Sequence, residues 1–276
     1  MRPAWSWQFD DERISQVMAL PAPITPEWAW EGSVGAGVRV AVLDSGIEAT
    51  HPLVGGIAGS VSFSYDAGSH DLSSQLGDGE DLSGHGTACA SIIRRLTGGV
   101  DLYSIRVLGA GLRGKVAVLA AGLRWAIEQE MDVVNLSLGT NRADFAGLLH
   151  ELADVAYFRQ MVLVAAASNL PMPSYPSHCA SVISVASARL SHPLAHRYNP
   201  SPPVEFGAPG IDIEVAWRDG RIVRASGNSF AAPHITALAA RILGKHPQLT
   251  PFQVKTVLHA LSENAGRQDL SQTASG

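Results

Sequence analysis

Five short runs, at 38–44, 101–108, 132–138, 161–168 and 181–187, are apolar at nearly every position and rich in β-branched residues. A strand with one face in water alternates apolar and polar residues, whereas a strand covered on both faces does not. VRVAVLD, DLYSIRVL, DVVNLSL, MVLVAAAS and SVISVAS are therefore predicted as strands buried on both sides. Helical patterns lie between or after them, at 85–96, 116–130, 143–159, 229–244 and 251–262. The alternation predicts an α/β chain with a three-layer, doubly wound, mostly parallel sheet and helices on both faces.

A chain of 276 residues with 46% hydrophobic and 16% charged residues has enough apolar surface for one large core. One domain is expected over 24–262, after an N-terminal extension (1–23) and before a polar tail (263–276). A net charge of −5 argues against a nucleic-acid partner, and no apolar run is long enough to span a membrane. The first residues, MRPAWSWQFDDERISQ, lack a leader pattern, so the expectation is a cytoplasmic protein. Cys89 and Cys179 are expected to be buried thiols rather than a bridge.

In parallel sheets, chemistry gathers beyond the carboxyl ends of the strands. The first run ends in Asp44 and the fourth leads into Asn169. His85 stands between glycines where a helix begins, and Ser229 stands in GNSFAAPH at the mouth of another. Each residue alone has a structural reading as a turn or cap. Together they supply what serine hydrolysis needs. Ser229 is a nucleophile that requires a base, His85. Asp44 orients that base, and the Asn169 amide with the Ser229 N–H receives an oxyanion. The order Asp, His, Ser excludes the α/β-hydrolase arrangement.

These segments resemble the subtilisin-like serine peptidases: VAVLDSGIEATHP around Asp44, GHGTACAS around His85, VNLSLG at 134–139, AAASN at 165–169, YPSHCASVISVAS at 175–187, FGAPG at 206–210 and SGNSFAAPH at 226–234. The resemblance implies a serine endopeptidase with Asp44, His85 and Ser229 as its triad and Asn169 in the oxyanion hole. It implies a peptide or protein substrate held as a strand between two extended edges, Gly111, Leu112, Arg113 and Gly114 on one side and Ser137, Leu138 and Gly139 on the other, with Ala167 and Ser168 beside it. Leu136 and Leu138 are expected to frame an apolar pocket for the residue before the scissile bond. Cys89, one helical turn after His85, is expected under the catalytic ring as a route for mercurials. The alternative is a catalytically silent peptide-binding module on the same fold.

Several features depart from the family pattern. Asn228 replaces the threonine usual before the nucleophile, Ser168 replaces a glycine, and the loop NLPMPSY is short. Only the 23 residues of the extension precede the resemblance, which leaves no room for a folding propeptide. The helix after His85 lacks the bulged loop of the family's principal calcium site, and Leu53 follows His51-Pro52 where an acid is usual. No cofactor is expected, and no calcium at that site. The acids of GDGEDLS (77–83) are expected to form a solvated loop. GAGLRGKV at 109–116 nearly spells a P-loop, but Val116 stands where magnesium needs a hydroxyl. Pro193 and the lack of a neighbouring glutamate argue against zinc at His192 and His196.

Overall fold

Valine and isoleucine on successive positions of a strand need apolar cover on both faces. In a computed structural model, which describes residues 4–11, 19–77 and 79–265, the chain supplies that cover with two helical layers. The strands are β1 (Arg39–Asp44), β2 (Gly59–Tyr65), β3 (Leu72–Leu76), β4 (Asp101–Arg106), β5 (Val133–Leu136), β6 (Val162–Ala166), β7 (Ile183–Ala188), β8 (Arg197–Tyr198), β9 (Phe206–Pro209), β10 (Ile213–Trp217) and β11 (Arg221–Ala225). The helices are α1 (Pro26–Ala29), α2 (His85–Leu96), α3 (Val116–Glu128), α4 (Ala146–Phe158), α5 (Asn228–Lys245) and α6 (Pro251–Ala260).

One nine-stranded sheet runs in the order β3-β2-β4-β1-β5-β6-β7-β9-β8. It is parallel except for the β2–β3 and β8–β9 pairs at its two edges. Chain order reverses at β1, which pairs with β4 on one side and β5 on the other. Such a reversal opens a crevice at the carboxyl ends. Val40 and Val42 of β1 pack toward α2, α5 and α6, while Ala41 and Leu43 pack toward α3 and α4. Each fully buried branched side chain contributes about 1.5–3 kcal/mol.

The five expected central strands are present, trimmed by a few residues at their ends. Residues 143–145 form a 3-10 turn ahead of α4, and helix α3 stops before the left-handed Glu130 (φ 53°). The outer strands β2, β3, β8 and β9 and the separate β10–β11 hairpin add to the expected set. They escape the apolar-run criterion because they are short, half-exposed or serine-rich, as in LSSQL. The expected tail also begins too early. Asn264 accepts from Tyr198 N (2.9 Å) and donates to Tyr198 O (2.8 Å), so the packed chain extends past 262. Residues 1–3 and 12–18 of the expected extension and 266–276 of the expected tail lie outside the described residues. Among those described, no helix is long and apolar enough to cross a membrane.

Buried histidines tie this core to pH. Burial holds the His234 pKa at about 4, and the nearby Arg95 charge adds to the effect. In the unfolded chain a histidine titrates near 6.5. Between those values the unfolded chain binds a proton that the folded chain refuses, so stability falls as pH drops from about 6.5 toward 4. The loss from this one group is on the order of 3 kcal/mol. Urea denaturation at pH 7 and pH 4.5 should therefore show a smaller acid loss in His234→Gln than in the parent chain.

Candidate active site

Asp44 is the last residue of β1 and is fully buried. Its carboxylate oxygens lie 2.8 and 2.9 Å from His85 Nδ1, and Ser45 N donates to Oδ1 at 2.8 Å. A carboxylate only accepts, so Nδ1 carries the proton and Nε2 is left as a base. The contact requires α2 to descend onto the end of β1. Gly86 permits it, since a Cβ there would lie 2.0 Å from Gly46 O. Gly84 takes a left-handed φ of 103° against the Trp217 indole. Burial alone would depress the His85 pKa, but the Asp44 charge and hydrogen bond, with Asp81 behind them, raise it above the usual 6.5.

Asp81 is the residue that the sequence conceals. It is buried, not part of a solvated loop. Its Oδ1 accepts from Ser45 Oγ (2.7 Å), Ser83 N (2.9 Å) and Gly84 N (2.8 Å). Its Oδ2 accepts from Thr87 N (2.9 Å) and Thr87 Oγ1 (2.6 Å). It thus satisfies the orphan amides at the start of α2 and places a negative charge there. Burial pushes its pKa up, yet the bonds from Thr87, Gly84, Ser83 and Ser45 outweigh that and lower it. The only sequence signal is an acid four residues before a histidine that opens a helix.

Ser229 lies in the first turn of α5, and Pro233 is within the helix rather than at its first position. Proline has no N–H to bond the carbonyl four residues earlier, which here belongs to Ser229. That carbonyl accepts instead from Ser137 Oγ at 2.7 Å and from the Cys89 thiol at 3.6 Å. Ser137 is itself held by Asn135 Nδ2 (2.9 Å), and Asn135 Oδ1 accepts from Thr236 Oγ1 (3.0 Å). A buried polar chain therefore ties β5 to α5 at the Ser229 backbone. Cys89 is buried, and burial together with the Asp44 charge keeps its thiol protonated. Asp44, His85 and Cys89 bring ligand atoms within 4.8 Å of one another, so a soft cation held there would take up the ring nitrogen that Asp44 orients.

Asn169 Oδ1 accepts from Asn228 N at 2.9 Å, which fixes which end of that amide accepts and leaves its NH2 to donate elsewhere. The Asn228 side chain donates to Ala167 O (3.2 Å) and Ser168 O (3.0 Å) and accepts from Ser187 N (2.8 Å). The unusual asparagine thus fastens the 167–169 segment and β7 to the start of α5.

His85, Asn169 and Ser229 line one groove of about 560 Å³, bordered by Leu112, Arg113 and Gly114 and by Ser137, Leu138 and Gly139. Gly111 lies outside it. The 109–113 segment closes on itself through Gly109 N–Arg113 O and Leu112 N–Gly109 O bonds of 3.0 Å, so Gly111 and the left-handed Leu112 form a turn, not an extended edge. Leu136 is also not a groove residue, because its side chain is buried in the core between β5 and α3. Ala167 and Ser168 line an adjoining cavity of about 430 Å³ with Met172, Ser174 and Asn228. His196 is buried with Nε2 on Leu258 O at 2.7 Å, which removes it as a zinc ligand.

The model of the subtilase family matches residues 35–274. Subtilisin E of Bacillus subtilis (strain 168) is 31% identical over 268 residues, 92% of this chain and 66% of that protein. Subtilisin of Bacillus pumilus is 31% identical over the same length, 92% of this chain and 91% of that protein. The chain also spans 66% of the thermostable alkaline protease of Halalkalibacterium halodurans, at 31% identity over 87% of its own length. Among solved structures, a cold adapted subtilisin-like serine proteinase is 28% identical, with 85% of each chain covered and a TM-score of 0.68.

The Pro233 gap makes Ser137 a stability residue as well as a groove residue. Ser137→Ala leaves the Ser229 carbonyl with only a weak thiol donor. An unsatisfied buried acceptor costs about 1–3 kcal/mol. Urea unfolding at pH 7 should show a loss of that size, and an unchanged midpoint would mean the carbonyl finds another donor.

Proposed function

This chain belongs to the subtilase family, and on that premise we propose that it is a serine endopeptidase acting through an acyl-enzyme on Ser229. The observation that carries the reading is the buried Asp44–His85 contact at one end of a groove that also holds Ser229 and Asn169. Ser229 Oγ attacks the substrate carbonyl and gives its proton to His85 Nε2. Asp44 holds the Nδ1 proton and stabilises the imidazolium. The oxyanion receives the Asn169 amide and the Ser229 N–H, at a helix N-terminus whose dipole favours negative charge. His85 then protonates the departing amine, and water, activated by the same ring, releases the acid. Leu112, Val116, Leu119 and Leu138 give the groove an apolar lining that suits apolar or small side chains near the scissile bond.

A fluorophosphonate probe should label Ser229 in the parent chain and not in Ser229→Ala or His85→Ala. The losses in Asp44→Ala, His85→Ala and Ser229→Ala should not add, because the three act as a unit. Asn169→Ala should lower kcat by about 10²–10³, the general magnitude for losing one such donor, for which subtilisin is itself the reference case. Full labelling of His85→Ala, or near-full turnover in Asn169→Ala, contradicts the assignment. A catalytically silent peptide binder would take no label at all.

Calcium independence at the α2–β4 junction belongs to the same proposal. Calcium wants six to eight oxygen ligands. Here the Arg94 guanidinium takes the carbonyls of Gly98 (2.9 Å), Val100 (3.0 Å) and Gly56 (3.0 Å). A resident cation on those oxygens suits the loss of the bulged loop, and the donor set does not fit a metal. Millimolar calcium against EDTA should leave the melting temperature unchanged, whereas Arg94→Gln should lower it. Stabilisation by calcium of many degrees would contradict this.

A further inference from the structure

We propose that a second cleft, opening off the catalytic groove, is a docking site for an acidic stretch of the substrate chain. This rests on the peptidase reading of the groove. The cleft has a volume of about 750 Å³ and lies between the β2–β3 hairpin and the 109–115 loop. It shares Val107, Leu108, Arg113, Gly114 and Lys115 with the groove that holds His85 and Ser229, so the two adjoin along that segment.

Its chemistry points to one class of occupant. Arg113 and Lys115 line it, and among the described residues no carboxylate does. Arg113 and Lys115 form no ion pair with any described residue. Lys115 Nζ sits 3.9 Å from the centroid of the Tyr65 ring, which positions the ammonium without neutralising it. The hairpin wall presents Ser74 and Gln75, donors suited to carboxylates and peptide carbonyls, beside Phe63 and Tyr65. The chain as a whole carries −5, so this basic cleft stands against the general charge and selects locally. β3 is an edge strand paired only with β2 and exposed at every residue, so the cleft is open along one side.

The test uses dye-labelled peptides with one common apolar core in three forms: neutral, with four acidic residues on the amino side, and with four on the carboxyl side. Binding to the Ser229→Ala protein is read by fluorescence anisotropy, and cleavage by the parent enzyme by kcat/KM. The expected result is a gain of about 3- to 10-fold in affinity for the acidic block on one flank only, carried in KM, since two exposed ion pairs are worth little more. Added salt should erase the gain. Lys115→Gln should reduce it, and Ser74→Glu, which sets a carboxylate into the cleft, should abolish or reverse it. No gain on either flank overturns the proposal, as does an equal gain on both, which is long-range steering without docking. A gain that survives both substitutions overturns it as well. Failure of the peptidase reading is separate: no peptide is cut and Ser229 takes no fluorophosphonate, while the binding arm still reports on the cleft.

Discussion

A carboxylate held wholly out of water is tolerated only when its oxygens are bonded, and the donors that Asp44 finds are Ser45 N–H, the His85 ring and, at 3.9 Å, the Cys89 thiol. Much of the site's construction serves that contact. β1 ends at Asp44, at the reversal of strand order. α2 starts at His85, and glycine at 86 lets its first turn touch the strand end. Asp81 ties that first turn to Ser45, next to Asp44 in the chain. Removing the ring would leave a buried charge half-bonded, so the pair is as much a structural constraint as a chemical one.

The second constraint is a helix interrupted at its working end. Pro233 deletes the internal partner of the Ser229 carbonyl, and Ser137, just after β5, and Cys89 of α2 replace it. The Ser229 backbone is thereby joined to the segment after β5 that borders the groove and to helix α2, which begins at His85. Three elements meet at one peptide unit, and Asn228 joins a fourth, β7, through Ser187. A long packed helix alone would fix the axis of α5 but not the rotation of its first turn. The side-chain bonds supply that rotation.

Legibility from sequence followed burial. The central strands were readable because cover on both faces writes itself as an unbroken apolar run, as in Val40 to Leu43. Asp44, His85, Asn169 and Ser229 were readable because each stands where an element begins or ends beside small residues. The edge strand LSSQL was not, since a strand exposed along its length has the composition of a loop. Asp81 among glycine, serine and other acids has the pattern of a solvated turn, and only the donors from α2 reveal its burial. The turn at Gly111 depends on a Gly109–Arg113 bond that no spacing rule announces.

The central claim is that the Asp44 charge, acting through a buried contact, makes His85 a base stronger than an ordinary histidine despite its own burial. An NMR titration of the His85 ring in the parent chain and in Asp44→Asn measures this directly. The account predicts a pKa above 6.5 in the parent and a fall in Asp44→Asn, because burial then acts with less opposition. A parent value at or below 6.5, or the same value in both proteins, would contradict it.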